Sequence, residues 1–574
     1  MLETGSVTAE QPSGGLGGGP HEGGRELDLL VAGAALVVSV CYVPVLDQGA
    51  TTVRLAIVLP VGAVGLVLAA LLARRGDVPT RFALGYLVWA GVSSLAAPNV
   101  ARAVLPGFGS DRGWVVAAAC IGWYVIGRLR GEVGARLLRW GLLLGLAINA
   151  FVAVAQYLVD GPGVLALSQR RALGLTPSPV YLATLLAGAL GLAAWMVARD
   201  PQWRRWLPVL VLFAMATEAS GGRGGLIAGT GVAIVLGWGA GWRRLAVIVA
   251  TIVAGVVLLA PFGSVGATSD RLADREAGGV APRLEMWGHG LATAAERPIT
   301  GWGPDHFLAV TGPRISASFA RAEGPDRRFF DAHNIVVEQL VSTGLPGVVA
   351  LGGFAIAATR RARGPLGAFA AGASLTWLVE PVSISTLPLV LVALGAATVE
   401  APRARVTRRW AVAATVAGLV AVVLCGRLVF TDVLVARSKD HPDLASLERA
   451  HALLPRDPVV ADLVTQEQIR LATVDPAHGS DEAVAAARRT IDLEPDDPKW
   501  WFRLAEAQAS ALHEPFSSDP EGLRSIERTL LEAYELNPWS ERTLLALANV
   551  SEVLGDDAAH ERWEAKRCQV VDCP

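Results

Sequence analysis

The chain has 574 residues, of which 52% are hydrophobic, 18% charged and 6% aromatic, with a mean hydropathy of +0.43. A soluble protein averages about 25% charged residues, so a set of ordinary soluble domains is excluded. The net charge of −2 conceals a division: residues 431–574 hold 28 acidic against 15 basic side chains, and residues 1–430 hold 24 against 35. An apolar basic part is joined to a polar acidic one. No dense basic run with interleaved aromatics occurs, which argues against nucleic acid as a partner.

Residues 1–27 are Gly-rich and too poor in apolar groups to build a core, so they read as a disordered cytoplasmic tail. No cleaved signal peptide is expected, because the first apolar run is long and lacks a basic flank before it. Apolar runs of membrane-spanning character then follow near 28–46, 53–73, 80–97, 113–127, 137–158, 179–198, 206–219, 224–239 and 245–262. Four more lie near 335–358, 365–379, 384–399 and 410–430. The expected fold class is therefore all-α: a polytopic helical bundle of 12–13 spans. Spans 1–9 occupy 28–262, a large loop 263–334, and spans 10–13 occupy 335–430.

Orientation follows from Arg placement, since Lys and Arg in short loops resist translocation. Every second connection is Arg-rich, as at Arg74, Arg75 and Arg81, at Arg128 and Arg130, and at Arg360, Arg361 and Arg363. The intervening short loops hold only Arg102, Arg112, Arg170, Arg171 and Arg223. This alternation predicts a multi-pass protein of the cytoplasmic membrane, with its N-terminus inside and with 263–334 and 431–574 exterior.

The exterior part 431–574 reads as helical hairpins. LLPRDP at 453–458, LEPDDP at 493–498 and LNPWS at 536–540 recur, each between two amphipathic runs. This resembles tetratricopeptide repeats lengthened by inserts such as HEPFSSDPEG, and it implies a binding module for an envelope protein partner or an acceptor. Cys41, Cys120 and Cys425 lie in apolar runs without metal-ligand spacing, and no metal is expected. Cys568 and Cys573 are placed to pair if the compartment is oxidising.

Polar groups gather at the outer ends of the spans. Glu218 and Arg223 fall in TEASGGRGGLIAG, where glycines let a ligand approach the backbone and Arg offers a planar fork to phosphate oxygens. An Arg snorkelling to water is the plain alternative. In PRLEMWGHGLATAAERPITGWGPDHF, at 282–307, Pro282 and Pro298 bracket a helix. Leu284, Trp287 and Leu291 share one of its faces, so it should lie along the membrane surface. Arg283 stands at its start, and a local pair with Glu285 is its plain alternative. In DAHN, His333 and Asn334 stand at the mouth of the next span. A His there can take a proton from a hydroxyl, with Glu338 available to orient it or share the proton.

These residues together resemble the O-antigen ligase and polymerase superfamily of multispan glycosyltransferases. The likeness rests on Arg223 in SGGRGG, Arg283 and Trp287 in RLEMW, Pro298–Gly303 in PITGWG, His333 and Asn334 in HN, and Gly344 and Gly347 in TGLPG. The upstream loop RALGLTPSPVYLAT is also similar but carries Ser178 where the family commonly has Asn. The match covers about 170–350, and the other spans agree only in layout. The resemblance implies transfer of a glycan from a polyprenyl-diphosphate carrier to an acceptor hydroxyl, inverting and free of metal or other cofactor. Arg223 and Arg283 would bind the diphosphate and His333 would be the base, with Asn334, Glu338 and Glu218 in support. A repeat-unit polymerase of the same superfamily, or a non-catalytic membrane anchor for the repeat module, stay open as alternatives.

Overall fold

The computed structural model describes residues 22–159, 167–168, 171–262, 280–327, 329–398, 406–441, 443–474, 476–512 and 519–573. Most of the tail expected at 1–27 and part of the insert HEPFSSDPEG lie outside these residues, although the first helix already begins at Glu22. The chain is 77% helical, with no strand among the described residues.

Among the described residues, ten α-helices precede the large loop: α1 (Glu22–Val40), α2 (Thr51–Arg74), α3 (Val78–Leu95), the short α4 (Val100–Val104), α5 (Trp114–Arg128), α6 (Glu132–Val159), α7 (Pro179–Arg199), α8 (Leu207–Ser220), α9 (Arg223–Trp238) and α10 (Trp242–Leu258). The loop carries α11 (Val280–Glu296), α12 (Phe307–Thr311) and α13 (Ala317–Glu323). Then come α14 (Ile335–Thr359), α15 (Gly364–Thr376), α16 (Leu387–Ala397) and α17 (Arg408–Asp440). Each of the thirteen apolar runs thus forms a helix. Five of these, α2, α6, α7, α14 and α17, are long and apolar enough to cross a membrane on their own. Proline starts several of them, at the first turn where a missing N–H costs nothing.

Helix α7 is the axis of the bundle and packs on α8, α9 and α15. Its PVYLATLLAGALGLAAW stretch is rich in Ala, Gly and Leu, and such small residues let helices come close where no water drives them together. α2 packs on α5 in the same way: a Cβ on Gly65 would lie 2.0 Å from the Gly122 carbonyl oxygen. By contrast α17 is exposed along most of its apolar length, as expected of a surface that faces lipid.

Helix ends of like Arg content pair with one another. Arg-rich turns meet one another: Arg128 pairs with Asp77 at 2.6 Å and donates to the Thr398 carbonyl at 2.8 Å. Arg-poor turns meet at the opposite end, where Ser383 Oγ and the Ile384 N–H donate to Asp111 at 2.7 and 2.8 Å. Gln156 also clamps the loop before α7 there, accepting from Leu173 and Gly174.

The C-terminal part comprises α18 (Leu444–Leu453), α19 (Pro458–Val474), α20 (Pro476–Leu493), α21 (Pro498–Ser510), α22 (Pro520–Leu536), α23 (Glu541–Val553) and α24 (Asp557–Arg567). Each helix packs on the next, and α19 also touches α21. Cys568 and Cys573 form a disulfide at its end. The module sits on the loops of the Arg-poor end. Trp539 Nε1 donates to the Ile315 carbonyl at 2.8 Å, Asn99 Nδ2 to the Leu493 carbonyl at 2.8 Å, and Phe108 N–H to the Asp457 carboxylate.

Candidate active site

The site is built around the turn that enters α14. Asn334 caps this helix: its side-chain oxygen accepts from the Val336 and Val337 N–H groups at 2.9 and 3.2 Å, and its Nδ2 donates to the Leu378 carbonyl. Short polar side chains at this position satisfy amides that the first turn leaves unpaired. His333, just before the cap, takes φ = 50°, a left-handed conformation uncommon for a residue with a Cβ. The Asp331 side chain imposes it. Its Oδ1 accepts the His333 backbone N–H at 2.8 Å and lies 2.7 Å from His333 Nδ1.

Arg112, in the loop before α5, holds the other side of that carboxylate. It donates to Asp331 Oδ2 and to the Phe330 carbonyl. Burial by itself would raise the Asp331 pKa, but the Arg112 guanidinium and His333 hold it well below the usual carboxylate range. Burial would likewise lower the pKa of His333, yet the hydrogen bond and charge of Asp331, with Glu380 beyond, hold it above the ordinary value.

The loop motifs are explained by how they brace this turn. Arg283 and Trp287 lie one helical turn apart on α11 and reach to the same place. Trp287 Nε1 donates to the Ala332 carbonyl at 2.8 Å, and Arg283 Nη2 lies 3.5 Å from Glu380 Oε2. Glu285 turns elsewhere, toward His289 and Ser316, so the local pair considered for Arg283 does not form. Leu284 and Leu291 are exposed while Met286 and Trp287 pack inward, which corrects the expectation that Trp287 shares their outer face.

PITGWG crosses a break in α14. At Gly344 the backbone leaves helical geometry, with φ 66° and ψ −173°. The freed carbonyls of Val341 and Ser342 accept from the Trp302 and Gly303 N–H groups at 2.8 and 2.9 Å, while Leu345 N–H donates to the Pro298 carbonyl. Each segment supplies the hydrogen bonds that the other lacks, as a polar backbone at membrane depth requires. A Cβ on Gly344 would lie 2.2 Å from the Ile299 oxygen, and one on Gly301 2.6 Å from Ser342.

Glu380, in the turn after α15, is a neighbour that two of the predicted residues, Arg283 and His333, share. It is buried, faces Arg283, and lies within the electrostatic reach of His333 and Arg171. Burial raises its pKa, and these cations only partly offset the effect. Arg223 opens α9 as its first residue, and a Cβ on the adjoining Gly224 would come 3.0 Å from Glu380 Oε1. Glu218 lies buried in the last turn of α8, where its carbonyl accepts the Gly221 N–H. Glu338 does not meet His333: it accepts from the Ala332 N–H at 3.0 Å and from Ser342 Oγ at 3.2 Å. Asp331, rather than Glu338, lies against His333: its side chain sits inside the turn, while Glu338 is one helical turn below.

Asp111, Arg112, Asp331, His333, Asn334, Glu338 and Glu380 line the polar end of a cavity of about 890 Å³. The rest of its wall is mostly apolar. Val232 and Val235 of α9, Leu351 and Ala355 of α14, Ala371 and Leu375 of α15 and Val390 and Leu391 of α16 carry it down to Thr359 and Arg363 at the Arg-rich end. Reading the sequence missed Arg112, Asp331 and Glu380 as members. Arg112 stood out only as one of the few Arg on the disfavoured side, and Asp331 as the first residue of DAHN.

Residues 208–352, from α8 into α14, match the family model described as O-antigen ligase. No curated protein matches the chain. The matched stretch holds Arg223, Arg283 and His333, whereas Arg112 and Glu380 come from outside it. The region that carries most of the site is therefore similar to O-antigen ligases, in a helical architecture suited to a multi-pass membrane protein.

Proposed function

We propose that the protein is an O-antigen-ligase-like glycosyltransferase that moves a glycan from a polyprenyl-diphosphate carrier to an acceptor hydroxyl at the outer face of the cytoplasmic membrane. One observation carries this reading. A cluster of Arg, His and carboxylate groups caps a long, mostly apolar cavity. A donor with a charged head and an isoprenoid tail has the same division of polarity.

Arg112 is the arginine lining the polar end of the cavity, and Arg283 stands against Glu380. In this reading Arg283 and Arg223, neither of them in the lining itself, grip the diphosphate, since guanidinium forks pair with phosphate oxygens. The start of α9, where the helix dipole is positive and the N-cap is Gly222, favours an anion as well. Stabilising the charge that develops on the leaving diphosphate is the main demand of the reaction, and cations fixed in a dry site meet it. His333 takes the proton of the acceptor hydroxyl. A single in-line displacement inverts the anomeric carbon. The disulfide between Cys568 and Cys573 fits an oxidising exterior for the C-terminal module. Its stacked helices suit a tetratricopeptide-like role of holding an acceptor or an envelope protein partner near the site.

The test is an assay of purified protein with a lipid-linked glycan donor. His333→Ala should lower transfer by roughly 10²–10⁴-fold, the usual worth of a general base, with donor affinity nearly unchanged. Full activity in that variant would end the base assignment.

A further inference from the structure

His333 presents two ring nitrogens, and only one can accept a proton from the substrate. Nδ1 is engaged by Asp331 Oδ1 at 2.7 Å, which leaves Nε2. The same oxygen accepts the His333 backbone N–H at 2.8 Å, so one carboxylate sets both the turn and the ring. Its second oxygen is bound by Arg112, which is itself fixed on the Phe330 carbonyl and lies 3.9 Å from Asp305. The Asp331 side chain is only 10% exposed, with both oxygens engaged.

We propose that Asp331 is the positioning residue for His333: it holds the imidazole as the Nδ1–H tautomer, leaves Nε2 to take the acceptor proton, and balances the positive charge that then forms on the ring. The inference rests on the assignment of His333 as base. In the step itself the acceptor oxygen forms a bond to the anomeric carbon while its proton passes to Nε2. The bond from that carbon to the diphosphate oxygen breaks, and its electron pair leaves with the diphosphate. Asp331 stays ionised throughout, as a carboxylate behind a catalytic imidazole does.

Asp331→Asn separates this role from a merely structural one, because Asn can still accept the backbone N–H that shapes the turn but carries no charge. The groups that face His333 are Asp331 in its own turn, Glu380 from the turn after α15 and Arg283 from α11, with Arg112 acting through Asp331. Removing the Asp331 charge leaves the cations less opposed, so the imidazole should titrate lower. The acid limb of the kcat–pH profile should shift to lower pH, and plateau kcat should fall by about 10²-fold with donor KM unchanged. Asp331→Glu should keep the limb in place.

Arg112→Gln should move the limb the other way, to higher pH, and it serves as an independent check if Asp331→Asn fails to fold. A folded Asp331→Asn with an unmoved limb and kcat near wild type, alongside an inactive His333→Ala, would overturn this proposal and spare the base. A limb that failed to rise in Arg112→Gln would count against it equally. Full transfer by His333→Ala would overturn both.

Discussion

At the scale of single residues, the site is a set of charges each held by more than one partner. Arg283 and His333 both answer to Glu380, and His333 also answers to Asp331, whose far oxygen is taken by Arg112. Arg283→Lys keeps the charge but loses the two-pronged fork, so it should raise donor KM as well as lower kcat, measured with the same lipid-linked donor. Three of the carboxylates lining the cavity are engaged by protein donors: Asp111 by Ser383 and Ile384, Glu338 by Ala332 and Ser342, Asp331 by Arg112 and His333. That donor set suits hydrogen bonding rather than a divalent cation, which needs several free oxygens. Transfer should therefore survive EDTA with no more than a small loss, and abolition by chelation with restoration by Mg²⁺ would refute this.

At the scale of elements, the motifs of the exterior loop are hydrogen-bonding partners of a broken helix. PITGWG and TGLPG were legible as motifs, but what each does was not. The answer lies in the exchange between Trp302, Gly303 and Leu345 on one side and Val341, Ser342 and Pro298 on the other. Gly301 and Gly344 both hold φ 66°. Gly344→Ala and Gly301→Ala should each destabilise the protein by roughly 1–3 kcal/mol from backbone strain alone, with more from the crowded Cβ. Thermal unfolding in detergent should show a lower Tm for both, and an unchanged Tm would contradict the packing described.

At the scale of the whole molecule, a line of charges runs from the C-terminal module to the site. Glu494, at the end of α20, pairs with Arg102, which meets Asp305 at 3.4 Å, and Asp305 approaches Arg112. All of these side chains are largely buried, so Arg102→Ala would leave Glu494 without its countercharge and Asp305 with Arg112 alone. The cost should be roughly 3 kcal/mol, as for a broken buried pair, read as a fall in Tm. Sidedness has its own check. Arg524 and Arg361 are exposed at what the charge pattern makes opposite faces. Cysteine placed at Arg524 should react with an impermeant thiol reagent in intact cells, and cysteine at Arg361 only after lysis. The reverse pattern would overturn the orientation.

Helix content and position were legible because local rules govern them. Apolar runs of bilayer length, Pro at first turns and the alternation of Arg between loops are properties of neighbouring residues, and each of the thirteen runs became a helix near its expected place. His333, Arg223 and Arg283 stood out for the same reason, as polar groups in otherwise apolar or Gly-rich surroundings. Glu380 and Arg112 were visible as isolated polar groups but not as members of the site, and Asp331 was not singled out at all. Arg112 precedes Asp331 by more than two hundred residues, and Glu380 follows His333 by two helices, α14 and α15. Nothing local marks such groups as partners, because burial and opposite charge join them only once α5, α11, α14 and α15 have packed. The tertiary structure alone decided which carboxylate faces the histidine, since that choice turns on a few ångströms of backbone geometry at one strained turn.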